Sequence, residues 1–132
     1  MSSLNPARVH REHPSRYRLE GARCTACGAV VFPARLVCPA CRGRVFEPHR
    51  VADHGEVVTY TVIHVPGPTF ANEAPYVLAV VALDGGGTIT CQVVDLVEEQ
   101  VHSGMRVRLE FRRIQADGVA GIIAYGHKAV PA

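Results

Sequence analysis

The chain has 132 residues, 48% of them hydrophobic and 20% charged, enough for one domain or a small module joined to a small domain. No apolar run approaches the ~20 residues of a membrane-spanning helix, and the N-terminal segment lacks the apolar stretch of a signal peptide. These features exclude a protein that crosses the membrane on helices and predict a cytoplasmic location. Thiols stay reduced there, so clustered cysteines are more apt to bind a metal than to form disulfides.

The formal net charge of +2 conceals an uneven distribution along the chain. Residues 1–50 carry nine Arg and three Glu, a net charge of +6, whereas residues 51–132 carry five basic and nine acidic residues, a net charge of −4. The basic N-terminal third of the chain favours an anionic partner: the phosphates of a ligand, a nucleic acid or an acidic protein surface. A basic arm that is merely solvated explains the same charge about equally well.

The first predicted segment is an N-terminal arm, residues 1–21, with a short helix around REHPSRYRLE. Pro14 fits only the first turn of such a helix, because its ring would clash with the backbone in the interior. The arm is followed by a cysteine-containing module at residues 22–46 and a β domain at residues 47–132.

Four of the five cysteines lie within eighteen residues, in the stretch CTACGAVVFPARLVCPAC. Two Cys-x-x-Cys turns place two pairs of sulfurs around one tetrahedral metal ion, and the ten-residue spacer between them is long enough to form a hairpin. Gly28 and Gly43 follow the two turns and permit the tight backbone that directs amides to the sulfurs. The pattern predicts one structural Zn²⁺ per chain, bound by Cys24, Cys27, Cys38 and Cys41.

Other interpretations of these cysteines remain open. The ligands alone do not distinguish zinc from iron, because tetrahedral sulfur coordination suits both metals. A redox-active pair is less favoured, since two pairs so close imply one shared site, and a catalytic zinc would need an open coordination position. Cys91 shares one side of a predicted strand with Ile89 and Val93, and we interpret it as a small buried apolar residue.

Apolar runs alternate with turn signals in the remainder of the chain, which predicts an all-β domain. The run 75–83 is almost wholly apolar, so we expect it to be buried on both faces or to lie against another element. DGGGT (84–88) should form the tight turn that follows it. The predicted strands are 56–65, 75–83, 88–94, 106–114 and 119–128.

The fourth predicted strand alternates apolar and charged residues, which places Val107, Leu109 and Phe111 on its inward face. A longer connection, which holds a short helix or loop, separates the third strand from the fourth. Five strands of this size with such a connection favour a small Greek-key barrel of the OB type.

The histidines and carboxylates form no catalytic or metal-binding signature in the sequence. His64 ends the first predicted strand and is the histidine best placed to reach a ligand, but a partly exposed strand-end residue is the favoured interpretation. No catalytic residues are therefore predicted for this chain.

Five segments resemble those of one protein family and occur in the same order. They are CTACGAVVFPARLVCPAC, GEVVTYTVIH, PYVLAVVALDGG, SGMRVRLEF and GIIAYGHK. This family joins a rubredoxin-like zinc ribbon to an OB-fold domain and was long filed as a domain of unknown function. The resemblance extends from Tyr17 to Lys128. It implies a non-catalytic accessory subunit that docks a thiolase-superfamily acyltransferase, thiolase or aldolase and helps to bind or channel acyl-CoA. The catalytic residues would belong to the partner.

The resemblance also implies a coenzyme A ester as a ligand shared with that partner. Phe32 and Arg35 of the ribbon are the first candidates to contact it, and Arg23 is a weaker one, since Arg side chains match the geometry of phosphates. Binding of single-stranded nucleic acid is the alternative, because zinc ribbons and OB folds recur there. The acidic β domain, with no Trp and few aromatic residues, disfavours it.

Overall fold

A computed structural model describes residues 5–67, 70, 73–116 and 123–132 of the chain. The described part is mostly strand, with two short helices ahead of the strands and a 3-10 turn at Glu98–Gln100. The elements are α1 (Pro6–Arg11), α2 (His13–Arg18), β1 (Glu20–Cys24), β2 (Val30–Val31), β3 (Phe46–Arg50), β4 (His54–Ile63), β5 (Tyr76–Leu83), β6 (Thr88–Val93), β7 (Arg106–Ala116) and β8 (Ile123–Pro131).

The N-terminal arm forms two helices of six residues each. The side chain of Asn5 caps α1 by accepting hydrogen bonds from the amides of Ala7 and Arg8. Pro14 lies in the first turn of α2, as the sequence predicts. Among the described residues no helix is long and apolar enough to cross a bilayer, which takes about 20 residues.

The ribbon is a three-stranded antiparallel sheet in the order β2-β1-β3. Within the spacer between the cysteine pairs, only Val30–Val31 is strand, and it pairs with β1 across the first cysteine turn. The hairpin therefore encloses that turn rather than lying within the spacer. The predicted boundary between the ribbon and the β domain, between residues 46 and 47, falls inside β3. The division of the chain into arm, ribbon and β domain stays a prediction.

The β domain is a closed barrel in the strand order β4-β5-β6-β8-β7, which confirms the OB-type fold. β4 and β7 close it as an antiparallel pair, with Gly55 opposite Val107, and β6 and β8 meet in parallel at Val93 and Ala129. β4 (His54–Ile63), the first strand of the barrel, begins and ends two residues earlier than predicted. The last strand extends to Pro131, and part of its predicted range, residues 119–122, lies outside the described residues.

β5 places one face of its apolar run in the barrel core and leaves the other partly accessible. Val77, Ala79, Val81 and Leu83 are buried, whereas the residues between them are half-buried. Of the two alternatives expected for this run, burial on both faces therefore holds for the inner face only.

Phe111 departs from the prediction that it points into a closed core. Val107 and Leu109 are buried, but the side chain of Phe111 is 49% exposed. Its ring stacks on that of Tyr125 at 5.4 Å and meets Tyr17 of α2 edge-on at 5.0 Å. Alternation identifies the face of a strand, but it does not show how deeply each residue on that face is buried.

The DGGGT turn of the barrel packs against the ribbon. Gly85, Gly86 and Gly87 all adopt positive φ, at 83°, 116° and 87°, which confirms the predicted glycine turn. A Cβ at Gly86 would lie 2.9 Å from the Cβ of Val30, and one at Gly87 would lie 3.2 Å from the Cβ of Phe32. The turn is therefore packed against β2 and against Phe32, which follows β2 in the chain.

Gly86→Ala should destabilise the protein by about 1–3 kcal/mol, because the new methyl group collides with Val30 and the backbone keeps a strained φ. Gly85→Ala is the matched control: its φ is also positive, but a Cβ there meets nothing within 4 Å, so we expect roughly 1 kcal/mol. Urea unfolding measures both. Equal midpoints for the two variants would contradict the packing of this turn against the ribbon.

Candidate metal centre and ribbon–barrel cleft

The four predicted ligands lie together at the tip of the ribbon. The sulfurs of Cys24, Cys27, Cys38 and Cys41 all lie within 4.8 Å of one another. Cys24 and Cys41 are 3.5 Å apart, and Cys27 and Cys38 are 3.6 Å apart. Zinc bound tetrahedrally at about 2.3 Å from each sulfur would separate the sulfurs by about 3.8 Å, so the four thiols have a metal-binding arrangement.

The backbone around the sulfurs explains how two short turns hold this arrangement. Gly28 has a φ of 78°, as expected for the first turn. In the second turn the left-handed residue is Arg42, with a φ of 63°, and not Gly43. Gly43 instead permits a close approach: its amide donates to the Cys41 sulfur at 3.4 Å, and a Cβ there would lie 3.2 Å from that sulfur.

Backbone amides also adjust the acidity of two of these thiols. The Cys41 amide, with smaller contributions from other donors, lowers the pKa of Cys38 to about 6. The Cys27 amide likewise lowers the pKa of Cys24 below its ordinary range. Thiolates are the form that binds metal, so both shifts favour ligation. The pKa of Cys41 moves the other way: although the Gly43 amide lowers it, the neighbouring thiols raise it to about 12. Burial raises the pKa of Cys91 to about 11, and this residue is buried in the barrel as predicted.

A cavity of about 470 Å³ lies where the arm, the ribbon and the barrel meet, and we call it the ribbon–barrel cleft. Its volume falls within the roughly 300–1,000 Å³ of small-molecule sites. Each part of the chain supplies some of its lining: Arg16 from α2; Phe32 and Arg35 from the ribbon; Thr88, Thr90 and His127 from the barrel.

The structure brings together two of the three residues that the resemblance implied for coenzyme A. Phe32 and Arg35 line the cleft and also a neighbouring cavity of about 200 Å³ next to Gly87. Arg35 is exposed and forms no ion pair with any residue in the described part of the chain. Arg23 is not among the residues lining either cavity, and its guanidinium lies 4.0 Å from the carboxylate of Glu47.

Other residues of the cleft were not identified from the sequence, among them Arg16, Thr90 and His127. They come from segments far apart in the chain, and no local motif links them. The guanidinium of Arg16 pairs with Glu12 one helical turn earlier, at 2.6 Å. Arg35 is therefore the cationic group of the cleft that is better placed to receive an anionic ligand.

Comparison with known families agrees with this two-part architecture. Residues 11–47 match the family described as "ChsH2, rubredoxin-like zinc ribbon domain", and residues 48–112 match "ChsH2, C-terminal OB-fold domain". The chain belongs to the ChsH2 family of zinc-ribbon and OB-fold proteins. The resemblance seen in the sequence is thereby confirmed.

Individual relatives extend the likeness over almost the whole chain. A "DUF35 domain-containing scaffold protein" of Methanocaldococcus jannaschii is 46% identical over 94% of this chain and 89% of its own length. A chain in the solved structure of an "Ltp2-ChsH2(DUF35) aldolase" is 28% identical, with a TM-score of 0.72 over 99% of this chain and 98% of that one.

A third relative is a longer protein, of which only a part matches this chain. The "Probable enoyl-CoA hydratase alpha subunit" of Thermomonospora curvata is 33% identical over 80% of this chain, which covers 32% of that protein. The nucleic-acid alternative finds no support in these similarities.

Proposed function

We propose that this member of the ChsH2 family is a non-catalytic scaffold subunit of a thiolase-superfamily enzyme. In this proposal the ribbon holds one structural Zn²⁺ through Cys24, Cys27, Cys38 and Cys41. The ribbon–barrel cleft borders the acyl-CoA site of the assembly. The catalytic groups come from the partner subunit.

The likeness to a chain of the Ltp2-ChsH2(DUF35) aldolase carries this proposal, because it spans both the ribbon and the barrel. The name of that aldolase joins ChsH2 to a second component, Ltp2. The relative named as an enoyl-CoA hydratase subunit adds support for a CoA ester as the ligand.

The charge and chemistry of the cleft support the same proposal. Coenzyme A carries a pyrophosphate and a phosphorylated ribose, and an Arg fork binds such oxygens with charge-assisted hydrogen bonds. Arg35 is exposed at the cleft beside Phe32, whose ring can contact an apolar or planar group. The four thiols fit Zn²⁺ in number, spacing and donor type.

Co-expression with a thiolase-superfamily enzyme of the same genome, followed by size-exclusion chromatography, tests the assembly. We expect the two chains to co-elute and acyl-CoA turnover to depend on both. The proposal fails if the enzyme is fully active alone and never co-elutes with this chain. In that case, titration with labelled single-stranded DNA at two salt concentrations would test the nucleic-acid alternative.

Arg35→Ala should weaken binding of a CoA ester to the assembly by about 1–3 kcal/mol, because a charge-assisted contact is lost. Zinc content and co-elution should be unchanged. Arg44→Ala is the matched control, since Arg44 is also an exposed ribbon arginine but does not line the cleft. Isothermal titration with acetyl-CoA compares the two variants, and equal losses would contradict a specific role for Arg35.

A further inference from the structure

Three aromatic side chains outside the ribbon–barrel cleft form one partly exposed group, which we call the aromatic cluster: Tyr17 of α2, Phe111 of β7 and Tyr125 of β8. The ring of Phe111 contacts both of the others, and the ring centres of Tyr17 and Tyr125 lie 6.4 Å apart. Tyr17 is 39% exposed and Phe111 is 49% exposed. Apolar surface left in water is unfavourable, so neighbouring rings with this exposure mark a surface that a partner can cover.

The cluster continues a buried row of side chains out into the solvent. On one side of β7, Val107 and Leu109 are buried, whereas Phe111 and Arg113, the next two residues on that side, are exposed. Arg113 lies opposite Tyr125 in the β7–β8 ladder and forms no ion pair with any described residue. An exposed ring followed by an exposed guanidinium is typical of protein interfaces, in which Phe, Tyr and Arg are enriched.

Two more arginines border the cluster on the side of Tyr17. Arg18 and Arg50 line a cavity of about 270 Å³ beside this tyrosine. Arg18 is paired with Glu20, at 3.4 Å between the guanidinium and the carboxylate. Arg50 forms no ion pair within the described part of the chain, and nearby Asp53 is hydrogen-bonded instead to the histidine that follows it. The surface therefore carries an excess of positive charge, which favours an acidic partner.

The arrangement of the rings favours a protein over a nucleic acid. Bases stack on free ring faces, and single strands follow a positively charged groove. Here the rings partly cover one another: Phe111 is stacked on Tyr125 at an angle of 16°, and the ring centre of His13 lies 4.2 Å from that of Tyr17. Residues 51–132, which include β7 and β8, carry a net charge of −4 and would repel phosphates. An acidic protein surface is therefore the better match.

We propose that the aromatic cluster and its arginines form the docking surface for an acidic face of the enzyme partner, with apolar side chains on Tyr17 and Phe111 and carboxylates on Arg50 and Arg113. This inference rests on the proposed function for the identity of the partner and adds the surface that holds it. α2 lies between this surface and the cleft, because Arg16 lines the cleft whereas Tyr17 does not. A partner held here contacts α2 beside the cleft and leaves the cleft itself open.

Hydroxyl-radical footprinting of the zinc-loaded full chain, alone and mixed with a thiolase-superfamily enzyme of the same genome, tests this surface. Tyr60 of β4 is the matched control, because it is 40% exposed, as Tyr17 is, but lies outside the aromatic cluster. In the complex we expect oxidation of Tyr17 to slow on the order of fivefold, since the core of an interface excludes water, and oxidation of Tyr60 to change less than about twofold. Equal changes at the two tyrosines would contradict the assignment.

Charge reversal at Arg113 provides the second test. Arg113→Glu should raise the Kd for the enzyme on the order of tenfold at low salt, and the loss should shrink as salt screens the contact. Arg44→Glu is the matched control, since Arg44 is an exposed arginine of the ribbon that does not line the cavity beside Tyr17. Isothermal titration at two salt concentrations compares the variants. Footprinting uses the wild-type chain, so the assignment stays testable even if a variant fails to fold.

The outcomes separate this inference from the proposed function. If the chain co-elutes with the enzyme, but Tyr17 is no better protected than Tyr60 and Arg113→Glu binds as Arg44→Glu does, the docking surface is wrong and the scaffold function stands. If the two proteins never co-elute, the scaffold function fails and the docking surface fails with it. Protection of Tyr17 by a single-stranded oligodeoxythymidine, and not by the enzyme, would also overturn the docking surface.

Discussion

Cys24→Ser should abolish stoichiometric zinc binding and unfold the ribbon. Cys24 is 1% exposed, and its sulfur lies 3.5 Å from that of Cys41, so a hydroxyl there removes one of the four clustered ligands. Structural zinc contributes about 10–16 kcal/mol of apparent binding free energy in small zinc modules, as much as the whole stability of a typical domain. The ribbon has little apolar core of its own to replace that contribution: Ala22 and Val31 are its buried residues besides cysteines.

Metal analysis by mass spectrometry and thermal unfolding measure this effect. Cys91→Ala is the control, because it also removes a buried cysteine but from the barrel, so zinc content should stay at one per chain. A Cys24→Ser protein that keeps one zinc and the wild-type melting temperature would contradict the site. Iron in place of zinc in the native protein would overturn the identity of the metal.

Leu19→Ala should destabilise the protein by about 2–5 kcal/mol, the usual range for a leucine truncated within a core. Leu19 is 2% exposed and joins the three parts of the chain. It ends α2 in a left-handed conformation with a φ of 51°, and its carbonyl accepts a hydrogen bond from the amide of Val51 at 2.9 Å. Its side chain belongs to the same hydrophobic cluster as Val57 and Val81 of the barrel, against which Phe32 of the ribbon is packed.

Urea unfolding measures this loss, and Leu36→Ala provides the control. Leu36 is a ribbon leucine that is 89% exposed, so its truncation should change the free energy of unfolding by no more than about 0.5 kcal/mol. If arm, ribbon and barrel share one core, Leu19→Ala should lower the midpoint in a single transition. A Leu19→Ala midpoint equal to that of Leu36→Ala would contradict a structural role for the arm.

Local patterns in the sequence were sufficient for the cysteine cluster and for the strands of the barrel. The spacing of the two Cys-x-x-Cys turns predicts four converging sulfurs, because each turn is short enough for its sequence to determine its shape. Alternation of apolar residues predicts β7, and the apolar run with its three glycines predicts β5 and the turn after it. In each case the information lies within a short stretch of chain.

The cleft, by contrast, depends on contacts between distant segments. Arg16, Arg35 and His127 are brought together only when the arm packs on the barrel and the glycine turn packs on β2. No periodicity relates positions so far apart, so the residues themselves carry no sign that they will meet.

By itself, therefore, the sequence determined the convergence of the four cysteines, the β class and the glycine turn, since short-range geometry specifies them. Only the tertiary structure decided which arginines face the cleft, that Phe111 is half exposed and that His127 Nδ1 is buried without a partner among the described residues. The physical reason is that burial and cavity shape arise from packing between elements, which depends on the whole chain rather than on any one segment.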